Sequence, residues 1–293
     1  MSVDWKRKEG KGRGMKYNCR DGLGWLTFPA IEETGVVRHL MSTRLGGVSG
    51  GEWSSMNLSY SRGDRKENVD ENFNRIAGVL GCMPADFVCS DQTHTTCVKR
   101  VTAADKGKGV TKPRDYRDVD GLITDEPGVV LATFYADCVP LLFVDPVKRA
   151  VGLSHSGWRG SVGKMGLRTV EAMEAAFGSR REDLLVGIGP SICQDCYEVS
   201  EDVAEAFRGL MEEEEMRKLP AKKRDVLYGK ENGKYQLNLW KANEAVCLAA
   251  GIRSENISVT DICTCCNPSL LFSHRASGGK RGNLGMFVVL NER

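Results

Sequence analysis

Three apolar runs near the middle of the chain restrict its fold more than any other feature. They are GVVLATFYADC at residues 128–138, VPLLFVD at 139–145 and AVGLSH at 150–155. Continuous apolar runs of this length are typical of strands that are buried on both faces. We therefore predict buried strands that end at Cys138 and His155, lie side by side and present both residues to one crevice, as strand ends do in open α/β sheets.

Segments with the periodicity of amphipathic helices alternate with these strands. They are predicted at residues 65–81, 160–178, 200–207 and 237–251. Neither a repeat of fixed period nor a linker divides the chain. The pattern predicts one α/β domain with a mixed sheet over residues 21–293, preceded by a basic flexible arm at residues 1–20.

Charge and composition exclude several classes of partner. The formal net charge is +2, which gives no electrostatic argument for nucleic acid or a membrane surface. No apolar run is long enough to cross a bilayer, and the basic start lacks the hydrophobic stretch of a secretory signal. We therefore predict a cytoplasmic protein, in which the eleven cysteines stay reduced and serve burial, metal binding or catalysis.

Two histidines and a cysteine offer the ligands of a transition metal. Cys138 and His155 end buried strands, and His94 follows a short strand in the turn DQTHTT. Two imidazole nitrogens and a thiolate suit zinc better than copper and leave a fourth position for water or substrate. The residues alone also allow a structural interpretation, in which Cys138 packs as a small apolar side chain and a carbonyl holds His155.

Six motifs occur in order along the chain, namely STRLGGVSGGEWSSMNL, DQTH, ADCVPLLFVD, HSGWRG, GIGPSICQDCYEV and CTCCNPSLLFSHR. Together they resemble the YfiH/laccase-domain family, also called multicopper polyphenol oxidase domains and read as purine nucleoside phosphorylases. The resemblance extends from about Val37 to the C-terminus. It implies a single-domain, layered α/β sandwich and one zinc ion held by His94, Cys138 and His155.

The resemblance also implies an activity and a set of substrate-binding residues. The activity is phosphorolysis of purine nucleosides (adenosine, inosine, guanosine and methylthioadenosine), with adenosine deamination as a second reaction. Phosphorolysis needs cations and amide donors that hold phosphate below C1′, and deamination needs a hydroxide at C6, which a zinc-activated water supplies. The residues assigned to the substrate are Arg44, Gly46, Gly47, Asn57, Asp64, Arg159 and Arg275.

Some catalytic assignments have two interpretations. Asp137, beside the metal cysteine, is predicted either as an acid/base group or as a carboxylate that orients the metal ligands. Arg159 either holds phosphate or forms a structural ion pair. Arg44 and Cys138 complete the predicted catalytic set. Asn57 and Asp64 either order the glycine-rich loop or touch the sugar.

Two cysteine clusters lie outside this set. The pair Cys193/Cys196 and the group Cys263/Cys265/Cys266 are interpreted as reduced, partly buried thiols, because the second group has the wrong spacing for a standard zinc knuckle. Whether they bind a second metal stays open. Arg281 receives no role, because the chain departs from the family pattern near its C-terminus.

Three other functions remain as alternatives. The first is a copper-dependent polyphenol oxidase (laccase), which four histidines in the whole chain are too few to support. The second is a hydrolase with Cys138 as nucleophile and His155 as base. The third is a non-catalytic role, for which the sequence has no signature. The oligomeric state, monomer or weak dimer, stays open.

Overall fold

The structure is a computed structural model that describes residues 3–8 and 14–292. The strands are β1 Lys16–Arg20, β2 Leu23–Thr27, β3 Val37–Ser42, β4 Phe87–Cys89, β5 Val98–Arg100, β6 Gly121–Thr124, β7 Val130–Tyr135, β8 Val139–Asp145, β9 Ala150–Ser156, β10 Leu185–Ile188, β11 Glu198–Val199, β12 Leu227–Gly229, β13 Tyr235–Leu237, β14 Ile257–Val259 and β15 Leu284–Leu290. The α-helices are α1 Pro29–Glu32, α2 Lys66–Leu80, α3 Trp158–Val162, α4 Met165–Phe177, α5 Glu201–Met211, α6 Glu214–Arg217, α7 Ala221–Arg224, α8 Leu239–Ala249 and α9 His274–Ser277. Within these described ranges, no helix has the length and apolarity that a membrane crossing needs.

Most strands belong to two six-stranded sheets. The first has the order β1-β2-β3-β15-β7-β4, and the second has the order β14-β10-β8-β9-β6-β5. Antiparallel pairs dominate both sheets, and parallel pairs lie at their edges, between β4 and β7, between β10 and β14, and between β5 and β6. Both sheets are therefore mixed, as predicted. A small sheet, β11-β13-β12, shares no strand pairing with them and packs against the core that also contains side chains of β8 and β10.

The two large sheets pack face to face, and helices cover their outer faces. In β15, Met286 and Val288 belong to the core between the sheets, whereas Phe287 and Val289 belong to the core under α2. β8 divides its side chains in the same way between the inner core and the core under α4, α5 and α8. Because both faces of each sheet are covered, its strands are apolar throughout. This arrangement confirms the predicted layered α/β sandwich.

The strands that precede Cys138 and contain His155 lie in different sheets. β7 belongs to the first sheet and β9 to the second, so the prediction that they lie side by side is wrong. The chain leaves β7, crosses between the sheets at Asp137 and Cys138, and continues as β8, which pairs antiparallel with β9. An apolar run has the same pattern in either sheet, so the sequence does not reveal this partition.

The predicted helix over residues 160–178 is divided into α3 and α4. Lys164 separates them in a left-handed conformation, with φ of 58°. Gly163 lies in the break, where a β-carbon would be 2.6 Å from Cγ2 of Thr96. Close packing of this break against the segment after His94 explains why the helix does not continue.

Part of the predicted N-terminal arm belongs to the folded region. β1 pairs antiparallel with β2 over its full length and forms the edge of the first sheet. Upstream, Arg7 binds the carboxylate of Asp261 at 2.7 Å. These contacts place the start of the fold before residue 21, in contrast to the predicted boundary. Residues 1–2 and 9–13 of the predicted arm lie outside the described residues.

Gly187 in β10 allows close packing between the two sheets. A β-carbon at this position would lie 2.5 Å from the ring of Phe28, which is fully buried in the inner core. We expect Gly187→Ala to lower the free energy of unfolding by about 1–3 kcal/mol, because the ring and the strand would have to shift. Chemical denaturation followed by tryptophan fluorescence measures this change.

The matched control is Gly78→Ala. Gly78 lies in α2, and among the described residues no atom other than its chain neighbours and the backbone of its own helix comes within 4 Å of an added β-carbon. The same substitution should therefore raise stability by about 0.5–1 kcal/mol through helix propensity. Similar effects at the two positions would contradict the packing described for Gly187.

Candidate active site

The three residues predicted to bind metal come together in the structure. Ligand atoms of His94, Cys138 and His155 lie within 4.8 Å of one another. Cys138 Sγ is 4.0 Å from His94 Nε2, and the two imidazole rings meet edge to face with centroids 5.0 Å apart. His155 is buried, Cys138 is partly buried and His94 is exposed. The cluster is therefore accessible from one side.

The crossover between the sheets positions the thiol. β8 pairs with β9 so that Pro140 lies opposite His155. Since Cys138 immediately precedes β8, its side chain comes to the end of β9 where His155 stands. Asp137 has a φ of 90°, a conformation that is uncommon for residues other than glycine. This conformation turns the chain from one sheet into the other.

The turn that carries His94 is fixed by the side chain of Gln92. Its Nε2 donates to the carbonyl of Phe134, and its Oε1 accepts from the backbone N–H of Phe134, both at 2.7 Å. The side-chain amide thus pairs with β7 in the way that a neighbouring strand would. His94 has a φ of 67°. In the DQTH motif, the glutamine therefore anchors the turn and the histidine offers the ligand.

Asp120 is a fully buried carboxylate that contacts both histidines. Its Oδ1 lies 2.8 Å from His155 Nδ1 and accepts from the backbone N–H of His94 at 3.2 Å. Its Oδ2 accepts from the backbone N–H groups of Thr93 and Thr95 at 3.0 and 2.9 Å. His155 Nδ1–H therefore donates to a carboxylate, and Nε2 is left to act as a metal ligand.

Gly157 provides the space in which the cluster forms. A β-carbon at this position would lie 2.9 Å from His94 Cδ2 and 3.1 Å from Cys138 Sγ. Its φ is −73°, which any residue adopts, so glycine is required here for space and not for backbone conformation. The glycine after His155 in HSGWRG thus allows the other two ligands to approach.

Cys138 and His155 stabilise each other's charged forms. Burial alone would raise the pKa of Cys138. The charge of His155 and hydrogen bonds from His155 and His94 outweigh this effect and lower the pKa to about 6. Burial lowers the pKa of His155, but Cys138 and Asp120 raise it, to about 9. The sulfur is thus held as a thiolate, the form that binds metals and attacks electrophiles. Metal binding would displace the proton from His155.

The donor set fits a single zinc ion. Zinc bonds of about 2.0–2.1 Å to nitrogen and about 2.3 Å to sulfur place these atoms roughly 3.6 Å apart in a tetrahedral site. The separation of 4.0 Å between Cys138 Sγ and His94 Nε2 is close to that value. Three protein ligands leave one position open, which is typical of catalytic zinc sites and not of structural ones.

The cluster lines a cavity of about 910 Å³, which Arg62 and Arg281 also line. Arg281 is 9% exposed, and its Nε has no hydrogen-bond partner among the described residues. Burial and the nearby charge of Arg62 lower the pKa of Arg281 to about 10. Two neighbouring guanidinium groups, one with a buried unpaired donor, make this part of the cavity suitable for an anion.

Arg44, predicted to be catalytic, has structural contacts instead. Its Nε donates to the carbonyl of Ser54 at 2.7 Å, and its Nη1 donates to the carbonyl of Pro268 at 2.6 Å. The guanidinium also lies over the ring of Phe272. Arg44 lines a smaller cavity of about 270 Å³, which Arg281 also borders, and not the cavity of the metal cluster.

The glycine-rich loop packs against the protein backbone. A β-carbon at Gly46 would lie 2.4 Å from Cα of Leu23, and one at Gly47 would lie 2.0 Å from the carbonyl oxygen of Ser55. Neither glycine is among the residues that line the large cavity. The glycines therefore permit close packing of the loop, in contrast to the predicted contact with an oxyanion.

Asn57 and Asp64 form a pair in which one side chain is structural and the other reaches the cavity. Asn57 is fully buried, and its Nδ2 donates to Asp64 Oδ2 at 3.0 Å. Its Oδ1 accepts from the backbone N–H groups of Ser59 and Asn283, each at 3.0 Å. Asn57 therefore orders the loop, which is one of its two predicted roles. Asp64 lines the large cavity.

Asp137 and Arg275 hold loops beside the crossover. Asp137 Oδ1 accepts from Thr264 Oγ1 at 2.6 Å, and its Oδ2 accepts from the backbone N–H of Arg275 at 2.7 Å. The Arg275 guanidinium donates to the carbonyls of Cys196 and Glu198 at 3.0 and 3.1 Å. Both residues thus have positioning contacts, and neither lines the cavity that holds the metal cluster.

Two residues of the candidate site, Asp120 and Arg281, are not predicted from the sequence. Asp120 makes the contacts to the cluster that were predicted for Asp137, and Arg281 lines the cavity whereas Arg159 does not. Arg159 is exposed, and its guanidinium stacks on Trp158 at 4.4 Å. The only sequence signals for the missed residues were an acidic residue before β6 and a basic residue before β15.

The fold and the site together match one family of enzymes. The family profile described as multi-copper polyphenol oxidoreductase laccase matches residues 38–291. Purine nucleoside phosphorylase YlmD of Bacillus subtilis (strain 168) is 36% identical over 255 residues, which is 86% of this chain and 87% of that protein. Adenosine deaminase RL5, from an unknown prokaryotic organism, is 33% identical over 244 residues, covering 82% of this chain and 89% of that protein.

A solved structure supports the same relationship. The crystal structure of YlmD from Geobacillus stearothermophilus matches with a TM-score of 0.84 at 34% identity, covering 95% of this chain and 99% of that one. The chain therefore belongs to this laccase-domain family, as its motifs predict, and it is an enzyme.

Substitution of Asp120 tests how the metal ligands are oriented. Asp120→Asn keeps the shape of the side chain but weakens its acceptance of five hydrogen bonds, four from residues 93–95 and one from His155. We expect the affinity for zinc at Cys138 to fall by roughly 10- to 100-fold, as measured by competition with a chromophoric chelator. Asp145→Asn is the matched control, because Asp145 is also a fully buried carboxylate but accepts from the backbone N–H groups of Val147 and Lys148 in the turn after β8; it should change this affinity much less. Equal losses in the two variants would contradict the role given to Asp120.

Proposed function

We propose that this enzyme is a zinc-dependent purine nucleoside phosphorylase that also deaminates adenosine. The observation that carries the proposal is the cluster of His94, Cys138 and His155 in a cavity of about 910 Å³ that also contains a buried arginine. The names of the relatives support the same substrate class. When bound, zinc would supply a Lewis acid and activate water near neutral pH.

The phosphorylase reaction needs a site for phosphate. An oxygen of phosphate attacks C1′ of the ribose while the C1′–N9 bond breaks, and the purine leaves with the bonding electrons and takes up a proton. Arg281 and Arg62 line the cavity and would bind and orient the phosphate through charge-assisted hydrogen bonds. Phe134 and Tyr116, which line the same cavity, offer aromatic surface to the purine.

The deaminase reaction uses the same cavity without phosphate. Water adds to C6 of adenosine, and ammonia leaves to give inosine. Asp120 holds His155 in one tautomer, and Gln92 fixes the turn with His94, so these ligands are oriented before substrate binds. Since the two reactions differ in their need for phosphate, they can be separated by substitution at the proposed phosphate site.

The copper oxidase alternative receives little support from the donor set. Laccase chemistry uses several coppers held by many histidines, whereas two of the four histidines belong to the cluster. His39 is buried and accepts a hydrogen bond from the backbone N–H of Phe28 at 2.8 Å. His274 is exposed at the start of α9. Within the described residues, the cluster is thus suited to one ion.

The cysteine hydrolase is the second candidate function, because Asp120, His155 and Cys138 resemble a catalytic triad. The carboxylate holds His155 Nδ1 at 2.8 Å, and the pKa of Cys138 is lowered to about 6 by His155 and His94 against the effect of burial. A second imidazole, His94, at the same sulfur favours the zinc site. A zinc ion bound to Cys138 would occupy the thiolate, so metal content separates the two functions.

Incubation with adenosine, with and without phosphate, tests the proposed function. We expect ribose 1-phosphate and adenine only when phosphate is present, and inosine in both cases. Cys138→Ala should abolish both reactions and remove one zinc per chain, measured by elemental analysis, because it removes a ligand. Cys19→Ala, at an exposed cysteine in β1, is the matched control and should change neither quantity.

Each alternative predicts a different result in this experiment. Hydrolytic activity that needs Cys138 and persists in zinc-free protein would favour the cysteine hydrolase. Phenol oxidation in proportion to bound copper, without conversion of adenosine, would favour the oxidase. Either result would overturn the proposed function.

Arg281→Gln tests the proposed phosphate site. Loss of a charge-assisted contact of about 1.5–3 kcal/mol should raise KM for phosphate by roughly 10- to 100-fold, while deamination of adenosine continues at a similar rate. Arg159→Gln removes the arginine that the sequence analysis associated with phosphate. It should leave KM for phosphate nearly unchanged, because Arg159 lies outside the cavity lining. The reverse pattern would place phosphate near Arg159.

A further inference from the structure

A second cluster of metal-binding side chains lies outside the cavity. Sulfur atoms of Cys193, Cys196, Cys263 and Cys266 lie within 4.8 Å of one another. The Sγ atoms of Cys196 and Cys266 are 3.5 Å apart, and those of Cys193 and Cys266 are 4.0 Å apart. All four cysteines are free thiols. None of them lines the cavity of about 910 Å³ that holds the first cluster.

The cluster consists of two Cys-x-x-Cys pairs. Residues 193–196 read CQDC, and residues 263–266 read CTCC, so Cys263 and Cys266 have the spacing that Cys193 and Cys196 have. The interpretation that the second group has the wrong spacing for a zinc knuckle is therefore wrong. Cys265 lies between Cys263 and Cys266 in the sequence and does not belong to the group of four.

Backbone N–H groups point at one of the sulfurs. Sγ of Cys263 accepts from the N–H of Cys193 at 3.2 Å and from the N–H of Cys266 at 3.4 Å. Such bonds stabilise negative charge on sulfur, as charge-assisted hydrogen bonds do in general. Lys8 Nζ pairs at 2.9 Å with Asp195, which lies between the two cysteines of the first pair. The hydrogen bond from the N–H of Cys193 to the sulfur of Cys263 thus joins the two pairs directly.

The spacing of the sulfurs fits a tetrahedral ion. Zinc–sulfur bonds of about 2.3 Å place the sulfurs of a four-thiolate site roughly 3.8 Å apart. The separations of 3.5 and 4.0 Å lie on either side of that value. Cys193 and Cys263 are buried, and Cys196 and Cys266 are partly buried. Four protein sulfurs leave no position for substrate, which is the arrangement of a structural zinc site.

We propose that Cys193, Cys196, Cys263 and Cys266 bind a second zinc ion that is structural and stabilises the crossover before Cys138. The N–H of Ile192, next to the first pair, donates to the carbonyl of Asp137 at 3.0 Å.

Thr264, inside the second pair, donates to the Asp137 carboxylate at 2.6 Å. An ion that joins the two pairs therefore fixes two contacts to the residue beside Cys138. The proposal is independent of the reaction that the enzyme catalyses.

Metal content of the full-length, reduced protein tests the proposal. Wild type should contain two zinc ions per chain, Cys138→Ala one, Cys196→Ser one, and the double variant none. Cys265→Ser, a matched change between the ligands Cys263 and Cys266, should keep two. Wild type with a single zinc that Cys138→Ala removes would overturn the proposal. So would retention of two zinc ions by Cys196→Ser.

A second measurement does not depend on folding of the Cys196 variant. Cobalt(II) bound to Cys138→Ala protein should give the intense sulfur-to-metal charge-transfer bands of a four-thiolate site, at one equivalent per chain. Removal of that ion by a chelator should lower Tm, because the two loops lose their link. Absence of these bands, or alkylation under non-reducing conditions that shows two disulfides in place of metal, would overturn the proposal.

Discussion

The buried carboxylate of Asp120 is the interaction on which the candidate active site depends. An isolated charge of this kind would be costly in the protein interior, but four donors from three residues of one turn and the ring of His155 surround it. These bonds tie the exposed turn of His94 to the buried end of β9. The carboxylate therefore fixes two ligands that lie far apart in the sequence, and it sets the tautomer of one of them.

The local sequence pattern predicted the central strands and the main helices, but it did not predict which strands belong to which sheet. The apolar runs gave β8 and β9, and the periodicity of residues 65–81 gave α2, which ends at Gly81 in a left-handed conformation. The same runs did not show that β7 and β9 belong to facing sheets. The sequence of a strand that is buried on both faces does not indicate which strands pair with it, because the surfaces on both of its faces are apolar. Pairing is a property of the whole chain.

Residue chemistry predicted the three residues of the His94–Cys138–His155 cluster but not the residues that contact them. His94, Cys138 and His155 were found because few side chains bind transition metals and the family motifs contain them. Asp120 and Arg281 are not distinguished by sequence pattern from other charged residues. Only the fold shows that Asp120 contacts His155 and that Arg281 lines the same cavity as the cluster. Arg44 is an example of a wrong prediction. A guanidinium beside glycines predicts an anion site, but in the structure the guanidinium of Arg44 donates to backbone carbonyl groups.

Two residues with unusual backbone conformations lie between the His94–Cys138–His155 cluster and the cluster of four cysteines. His94 and Asp137 both have positive φ values, 67° and 90°, and such conformations persist when surrounding contacts hold them. Asp120 and Gln92 hold the first residue. The second is held by Thr264, Ile192 and Arg275, whose segments carry or flank the two Cys-x-x-Cys pairs. The candidate site is thus held from two sides: Asp120 holds His94 and His155, and the loops with the Cys-x-x-Cys pairs hold the crossover next to Cys138.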